Sequence, residues 1–256
     1  MSNVKNKRDW HREEFKVMVT LGDSITAGGW SSSRERCWAL RLATLISDVQ
    51  SQPVKLVNSG IGANVISTLS PCYEFSGKPA ASERLDKHVI AHGPDLLVIG
   101  YGLNDARGGT PLELFAEEMR AIIDRIRGKV QPLIVLLGPF FMTSFQSGNE
   151  QWSHGSLKIF HTFNNLIYDI ARAKDCLFVD LLEAYGETEW MVHYDGVHAN
   201  DIGHLIIANK IFGVLAQNCS GLAKNTKNKE HDIPPWRDES MLAADYGIKR
   251  PGSAKL

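Results

Sequence analysis

Apolar runs rich in Val, Ile and Leu recur at residues 16–21, 54–58, 95–100, 132–138 and 176–180. Such apolar enrichment over so few residues predicts strands buried on both faces, as in a parallel sheet, rather than the in-and-out alternation of a half-solvated one. Between them, apolar positions at three- and four-residue spacing predict helices at 35–49, 83–91, 112–127, 157–173 and 202–216. Strand and helix alternate five times. The fold class is therefore α/β, a three-layer α/β/α arrangement with a five-stranded parallel sheet covered on both sides.

Open parallel sheets place their sites beyond the carboxyl ends of the strands. The polar segments with chemical potential all occupy that position. Gly22-Asp23-Ser24 follows the first strand, Gly60 to Asn64 the second, Gly102-Leu103-Asn104-Asp105 the third, and Asp195-Gly196-Val197-His198 lies beyond the fifth. Topology alone thus predicts that residues far apart in sequence converge.

Composition narrows the class. With 256 residues, of which 43% are hydrophobic and 22% charged, the chain can bury a full core as one domain. Lysine and arginine number 28 against 29 acids, and no long basic block occurs, which disfavours nucleic acid or an anionic membrane surface as partner. No apolar run reaches the roughly 18 residues of a membrane span, and the charged opening lacks a secretory apolar segment, so a cytoplasmic location is expected. Cys37, Cys72, Cys176 and Cys219 are scattered without paired spacing and read as reduced packing residues; no metal-ligand spacing appears. Three regions follow: a charged extension at 1–15, the folded domain at 16–218, and a polar tail at 219–256. The tail is either disordered or a strap docked on the domain or on a second copy in a homo-oligomer, with Trp236, Met241 and Leu242 as its docking residues.

A serine hydroxyl becomes a useful nucleophile only when a base takes its proton during attack, and neutral imidazole suits that task. Ser24 at the mouth of a buried strand is the candidate nucleophile and His198 the base. Asp195, three residues before it, can hold the other ring nitrogen and so select the tautomer. The oxyanion formed on attack needs fixed donors. Ser24 N–H, an N–H of the Gly60 to Asn64 loop and the Asn104 amide are available. Asp23 and Thr26 shape the turn. Asp23 is also, with Phe140, Phe141 and His193, a candidate substrate contact. The aromatic stretch from Phe140 to Phe145 reads either as a lip facing substrate or as core cover. Asp201 is expected to cap the last helix. No Gly-x-Ser-x-Gly elbow surrounds Ser24, which disfavours the larger α/β-hydrolases.

In order and spacing, these four segments resemble the blocks of the SGNH, or GDSL, hydrolase family across residues 16–216. The resemblance implies a flavodoxin-like fold, serine esterase or deacylase activity and no cofactor. It also implies Ser24 as nucleophile, Asn104 as oxyanion donor, and Asp195 with His198 as the rest of the triad. One departure stands out: where the family's second block has glycine before an Asn or Asp, Ala63 precedes Asn64. The loop donor is therefore Ala63 by register or Gly62 as alternative, and a positive φ at Ala63 would be strained. The expected activity is hydrolysis of a small, acetyl or short-chain, oxygen ester through an acyl-serine. An acyltransferase of the same fold and a non-catalytic carbohydrate-binding protein are the rival readings.

Overall fold

The apolar runs do form strands: β1 (Val17–Gly22), β2 (Lys55–Gly60), β3 (Leu96–Gly100), β4 (Leu133–Leu137) and β5 (Leu177–Val179). The computed structural model describes residues 7–145 and 148–232. All pairings are parallel, in the order β2-β1-β3-β4-β5. Interior β4 is buried at every residue and central β3 at all but its last. β2 departs from the expectation of two buried faces. It is an edge strand, and Leu56 and Val57 are only partly buried.

Among the described residues, nine helices and several single turns pack around this sheet or connect it. The long helices lie close to their sequence-predicted bounds: α2 (Trp38–Val49), α5 (Leu112–Arg127), α6 (Leu157–Ala173) and α8 (Asp201–Asn218). α2 packs against α8 and α5 against α6. The helix expected at 83–91 is broken into single turns around α3 (Leu85–His88). So short a segment is marginal by itself. Here Val89, at φ −131° and ψ −65°, interrupts it, and Arg84 turns inward with only 2% of its surface exposed. Four short helices carry no periodic signature in the sequence: α1 (Ser24–Ala27), α4 (Leu103–Arg107), α7 (Leu181–Tyr185) and α9 (Lys224–Lys229).

The charged segment before β1 is tied into the body of the protein. Phe15 is buried, its N–H donates to Gln50 Oε1 at 2.7 Å, and Gln50 Nε2 returns a bond to its carbonyl at 2.9 Å. Trp10 N–H donates to Asn218 O, and Gly221 N–H to His11 O, so this segment and the turns after α8 hold each other. The sequence candidates for tail docking, from Ile233 to Trp236 and at Met241 and Leu242, lie outside the described residues. All four cysteines are buried and unpaired. Among the described residues no single helix is long and apolar enough to cross a membrane.

Candidate active site

β1 and β3 are adjacent while their following connections diverge, so the crevice at their carboxyl ends is the switch point of the sheet. Ser24 opens α1 directly after β1, and Asn104 lies in α4 directly after β3. Asp23 makes the first of these turns possible. Its backbone is extended, its Oδ1 accepts the Ile25 N–H at 3.0 Å, and it caps a one-turn helix. At 4% exposure Asp23 lies beneath the turn, and burial pushes its carboxyl up to about 6. It is a cap rather than a substrate contact.

His198 arrives from the other end of the chain. Val192 and Ala199 form an antiparallel bridge, His193 N–H donates to His198 O at 2.7 Å, and Gly196 turns the chain at φ +73°. Thr143 and Ser144 donate their N–H groups to Gly196 O, pinning this turn to the loop after β4. Within it, Asp195 Oδ1 accepts the N–H groups of Val197 and His198, leaving Oδ2 at 2.5 Å from His198 Nδ1. The opposite ring nitrogen, Nε2, lies 2.9 Å from Ser24 Oγ. The carboxylate makes Nδ1 the protonated nitrogen and leaves Nε2 a lone pair toward the hydroxyl.

Burial pulls His198 below the ordinary 6.5 of imidazole, only partly countered by Asp195. Burial would raise Asp195, yet the N–H groups of His198 and Val197 and the imidazole outweigh it and hold the carboxyl below its ordinary 3.8. The pair therefore rests as neutral imidazole beside carboxylate at neutral pH.

The loop after β2 closes the other side. Gly60 approaches α1 so closely that a Cβ would lie 2.0 Å from the Ala27 nitrogen. Asn64 is the hub: fully buried, it sends Nδ2 to Gly77 O and Pro79 O, and its Oδ1 accepts from Arg84 Nη2 and the Tyr101 hydroxyl. Arg84 also donates to Ser59 O at 2.6 Å and Gly22 O at 3.1 Å, linking the ends of β1 and β2. Asn104 Nδ2 donates to Asn64 O at 3.0 Å, so one amide hydrogen fixes the loop and the other is left for a ligand. Asp105, next in sequence, is fully buried and pushed by that burial up to about 7; it accepts the Ile66 N–H at 3.1 Å. Its place is to hold the loop that follows.

Gly62 and Ala63 lie at the tip of this loop, between Ile61, whose N–H donates to Gly22 O, and Asn64, whose N–H donates to Ile61 O. Ala63 adopts φ +51°, the left-handed region in which a Cβ costs about 1–2 kcal/mol. Ala63→Gly is therefore expected to raise the unfolding free energy by about 0.5–1 kcal/mol, read from urea denaturation, with the N–H retained. No gain would mean that the surroundings relieve the strain.

Phe140 is a correction. It is 4% exposed and lines, with Asp23, Thr26, Trp38, Tyr101 and Leu137, a small cavity of about 20 Å³ beside α1. Phe141 packs on the core as well, so this part of the aromatic stretch is core cover rather than a lip. A groove of about 760 Å³ between α2 and the β2 edge is lined by Ala27, Gly28 and Ser31, not by Ser24. His193 does lie at the site: its Nδ1 is 3.5 Å from Asp195 Oδ1, with its ring beside the exposed Tyr194. Asp201 is not the cap of α8. Asn200 is, accepting from Ile202 and Gly203, while Asp201 binds the Ser32 N–H and hydroxyl and Arg36. Sequence reading missed Trp30, whose indole lies parallel to the His198 ring at 3.7 Å and 7°. It also missed Arg84 and Tyr101, because a lone aromatic in a loop and a charge on a helical stretch carry no local signal.

Solved structures of the same architecture include a lipase/acylhydrolase from Enterococcus faecalis (19% identity, 87% of this chain and 100% of that one, TM-score 0.61). Axe2, an acetylxylan esterase from Geobacillus stearothermophilus, is similar at 20% identity over 78% of this chain and 94% of that one, TM-score 0.59. LAE5, an α/β hydrolase from the metagenome of Lake Arreo, Spain, matches at 19% identity over 81% and 97%, TM-score 0.61. Comparison with curated proteins finds no match. At such identities the structural likeness speaks for the fold alone. The sequence match to the GDSL-like lipase/acylhydrolase family, in contrast, covers residues 20–206, and with all four SGNH segments at the carboxyl ends of a flavodoxin-like sheet, this chain belongs to that hydrolase family.

Proposed function

We propose that the protein is a serine esterase that hydrolyses a small acyl oxygen ester through an acyl-serine intermediate. The observation that carries this reading is the continuous hydrogen-bonded chain from Ser24 Oγ through both nitrogens of His198 to Asp195 Oδ2.

His198 Nε2 takes the Ser24 proton as Oγ attacks the ester carbonyl carbon, and the carbonyl π electrons move onto oxygen. That oxyanion is received by the Ser24 N–H, the free hydrogen of Asn104 Nδ2 and an N–H at Gly62 or Ala63. Collapse expels the alcohol, which takes the proton back from His198. Water then attacks the acyl carbon, His198 accepts its proton, and the second collapse returns that proton to Ser24 and frees the acid. Asp195, held as carboxylate, stabilises the imidazolium in both halves without itself accepting the proton.

A small acyl group is favoured because Ser24 is only 8% exposed and its partner His198 is stacked on Trp30. Axe2, an acetylxylan esterase, supports an acetyl group by analogy. A p-nitrophenyl ester series from acetate upward tests chain length, and a fluorophosphonate probe followed by peptide mass mapping tests the nucleophile. Turnover fastest at acetate to butyrate and label on Ser24 are expected; label on another residue would sink the assignment. Product transferred to an added alcohol, in place of free acid, would favour the acyltransferase alternative.

The pH dependence follows from His198. Only neutral imidazole can accept the serine proton, and its folded-state pKa lies below 6.5, so activity persists through neutrality and is lost as pH falls through a midpoint below 6.5. A kcat/KM profile with its acid midpoint above about 7 would contradict the buried-imidazole account.

A further inference from the structure

Gly28-Gly29-Trp30-Ser31-Ser32-Ser33 is a run of small residues interrupted by one large apolar side chain. Trp30 is 48% exposed, so it serves no core. Its φ is +64°, in the left-handed region that bulky residues avoid. Outliers of this kind persist where the surroundings over-determine them, and they gather at functional sites.

The restraints on Trp30 come from both halves of the site. On one side, Gly29 N–H donates to Ser24 O at 2.8 Å. On the other, fully buried His204 accepts the Trp38 N–H on Nδ1 at 3.3 Å and directs Nε2 to Gly29 O at 3.1 Å. Beyond Trp30, Ser32 gives its N–H and hydroxyl to Asp201 at 2.8 and 2.6 Å, and Arg36 Nη1 holds the same carboxylate at 2.8 Å. The loop is thus strung between the nucleophile turn and the first turn of α8. The result is an indole whose ring centroid lies 3.7 Å from that of the imidazole, with the planes 7° from parallel.

Building on the reading of His198 as general base, we propose that Trp30 is a positioning residue for it, its indole face keeping the imidazole in the orientation that joins Asp195 to Ser24. The need is greatest after acylation. While Ser24 is free, the ring is held at both nitrogens. Once Oγ carries the acyl group it no longer offers a hydrogen to Nε2, and the ring keeps one polar anchor, Asp195, about which it can tilt. A parallel indole on its face blocks that tilt at the stage when Nε2 must meet a water molecule. The same π face also accommodates the positive charge the ring gains in each transition state. The other groups facing the ring are Asp195, His193 and Arg107, with His204 behind the loop.

The test separates deacylation from binding. Acyl-enzyme formed with p-nitrophenyl acetate is followed by intact mass in quenched samples, alongside kcat and KM, for Trp30→Leu, Trp30→Phe and Asp201→Ala. The leucine variant is expected to lower the deacylation rate constant roughly 10- to 100-fold, the usual scale for a misplaced catalytic group, with KM falling alongside kcat and kcat/KM, which reports acylation, less affected. Phenylalanine, which keeps an aromatic face, is expected to restore most of the rate. Asp201→Ala, which frees Ser32 without touching either ring, slows deacylation in the same direction. An unchanged deacylation rate in the leucine and Asp201 variants overturns the proposal. So does a leucine variant altered only in KM, which would make Trp30 a substrate contact, and so does a phenylalanine variant as slow as leucine. Wild-type turnover with inactive Ser24→Ala and His198→Ala upholds the esterase reading whatever Trp30 does; turnover surviving in those two removes that reading, and the Trp30 proposal with it.

Discussion

Ser24→Ala is expected to abolish ester hydrolysis, lowering kcat by about 10⁴-fold or more, because among the described residues the Ser24 hydroxyl is the group that His198 Nε2 meets. The expectation is severe because the groups act as a unit. Without the oxygen there is no acyl intermediate, and the imidazole and its carboxylate are left with only water to activate. Stability should change little. Ser24 is more buried than a surface turn would have it, but the hydroxyl's hydrogen-bond partner is His198, and the turn itself is held by Asp23 and by the N–H of Ala27 donating to Asp23 O. Loss of one such bond is worth about 1 kcal/mol. Activity against p-nitrophenyl acetate, measured beside the thermal midpoint, decides the matter. Turnover within tenfold of wild type in a folded variant would remove Ser24 from the chemistry and, with it, the acyl-serine route.

Asn104→Ala is the second large effect, an expected fall in kcat of about 10²- to 10³-fold, the scale of one oxyanion donor. KM should move little, since the donor meets charge that develops only on attack. This variant should also be less stable, by about 1–3 kcal/mol, because Asn64 O is buried and Asn104 Nδ2 is its donor. The two readouts separate the roles of the amide. A stability loss with less than about threefold loss of kcat would leave Asn104 as a brace for the loop and move the oxyanion elsewhere.

The Asn64 hub explains why both effects are local in sequence and distributed in space. Arg84, Tyr101, Gly77 and Pro79 all converge on the Asn64 side chain, and the backbone carbonyl of the same residue positions the Asn104 amide. None of the four residues bears on the reaction by itself. They set where the donor sits, and fixed donors are effective because they need no reorganisation when charge appears.

The strands and four long helices were legible in the chain because their signals are local. Leu133 to Leu137 is apolar at every position, as a strand buried on both faces favours; Leu112–Arg127 keeps apolar residues on one side at helical spacing. Ser24, Asn104, Asp195 and His198 could be singled out for the same reason, each sitting in a short polar segment next to an apolar run. What local pattern cannot carry is a contact between segments. Asp201 looked like a cap because aspartate before a helix usually is one, yet Asn200 took that place and Asp201 turned to the Ser32 loop 169 residues away. Phe140 could be read as a candidate substrate contact or as core cover, and the structure buries it against the core. Trp30, Arg84 and Tyr101 left no trace, since their partners are set by how loops from different strands meet. Sequence determined which residues had chemistry to offer and at which end of the sheet they would lie. Tertiary structure alone decided which of them touch, because hydrogen bonds and ring contacts depend on distances of a few ångströms between parts of the chain that no periodicity relates.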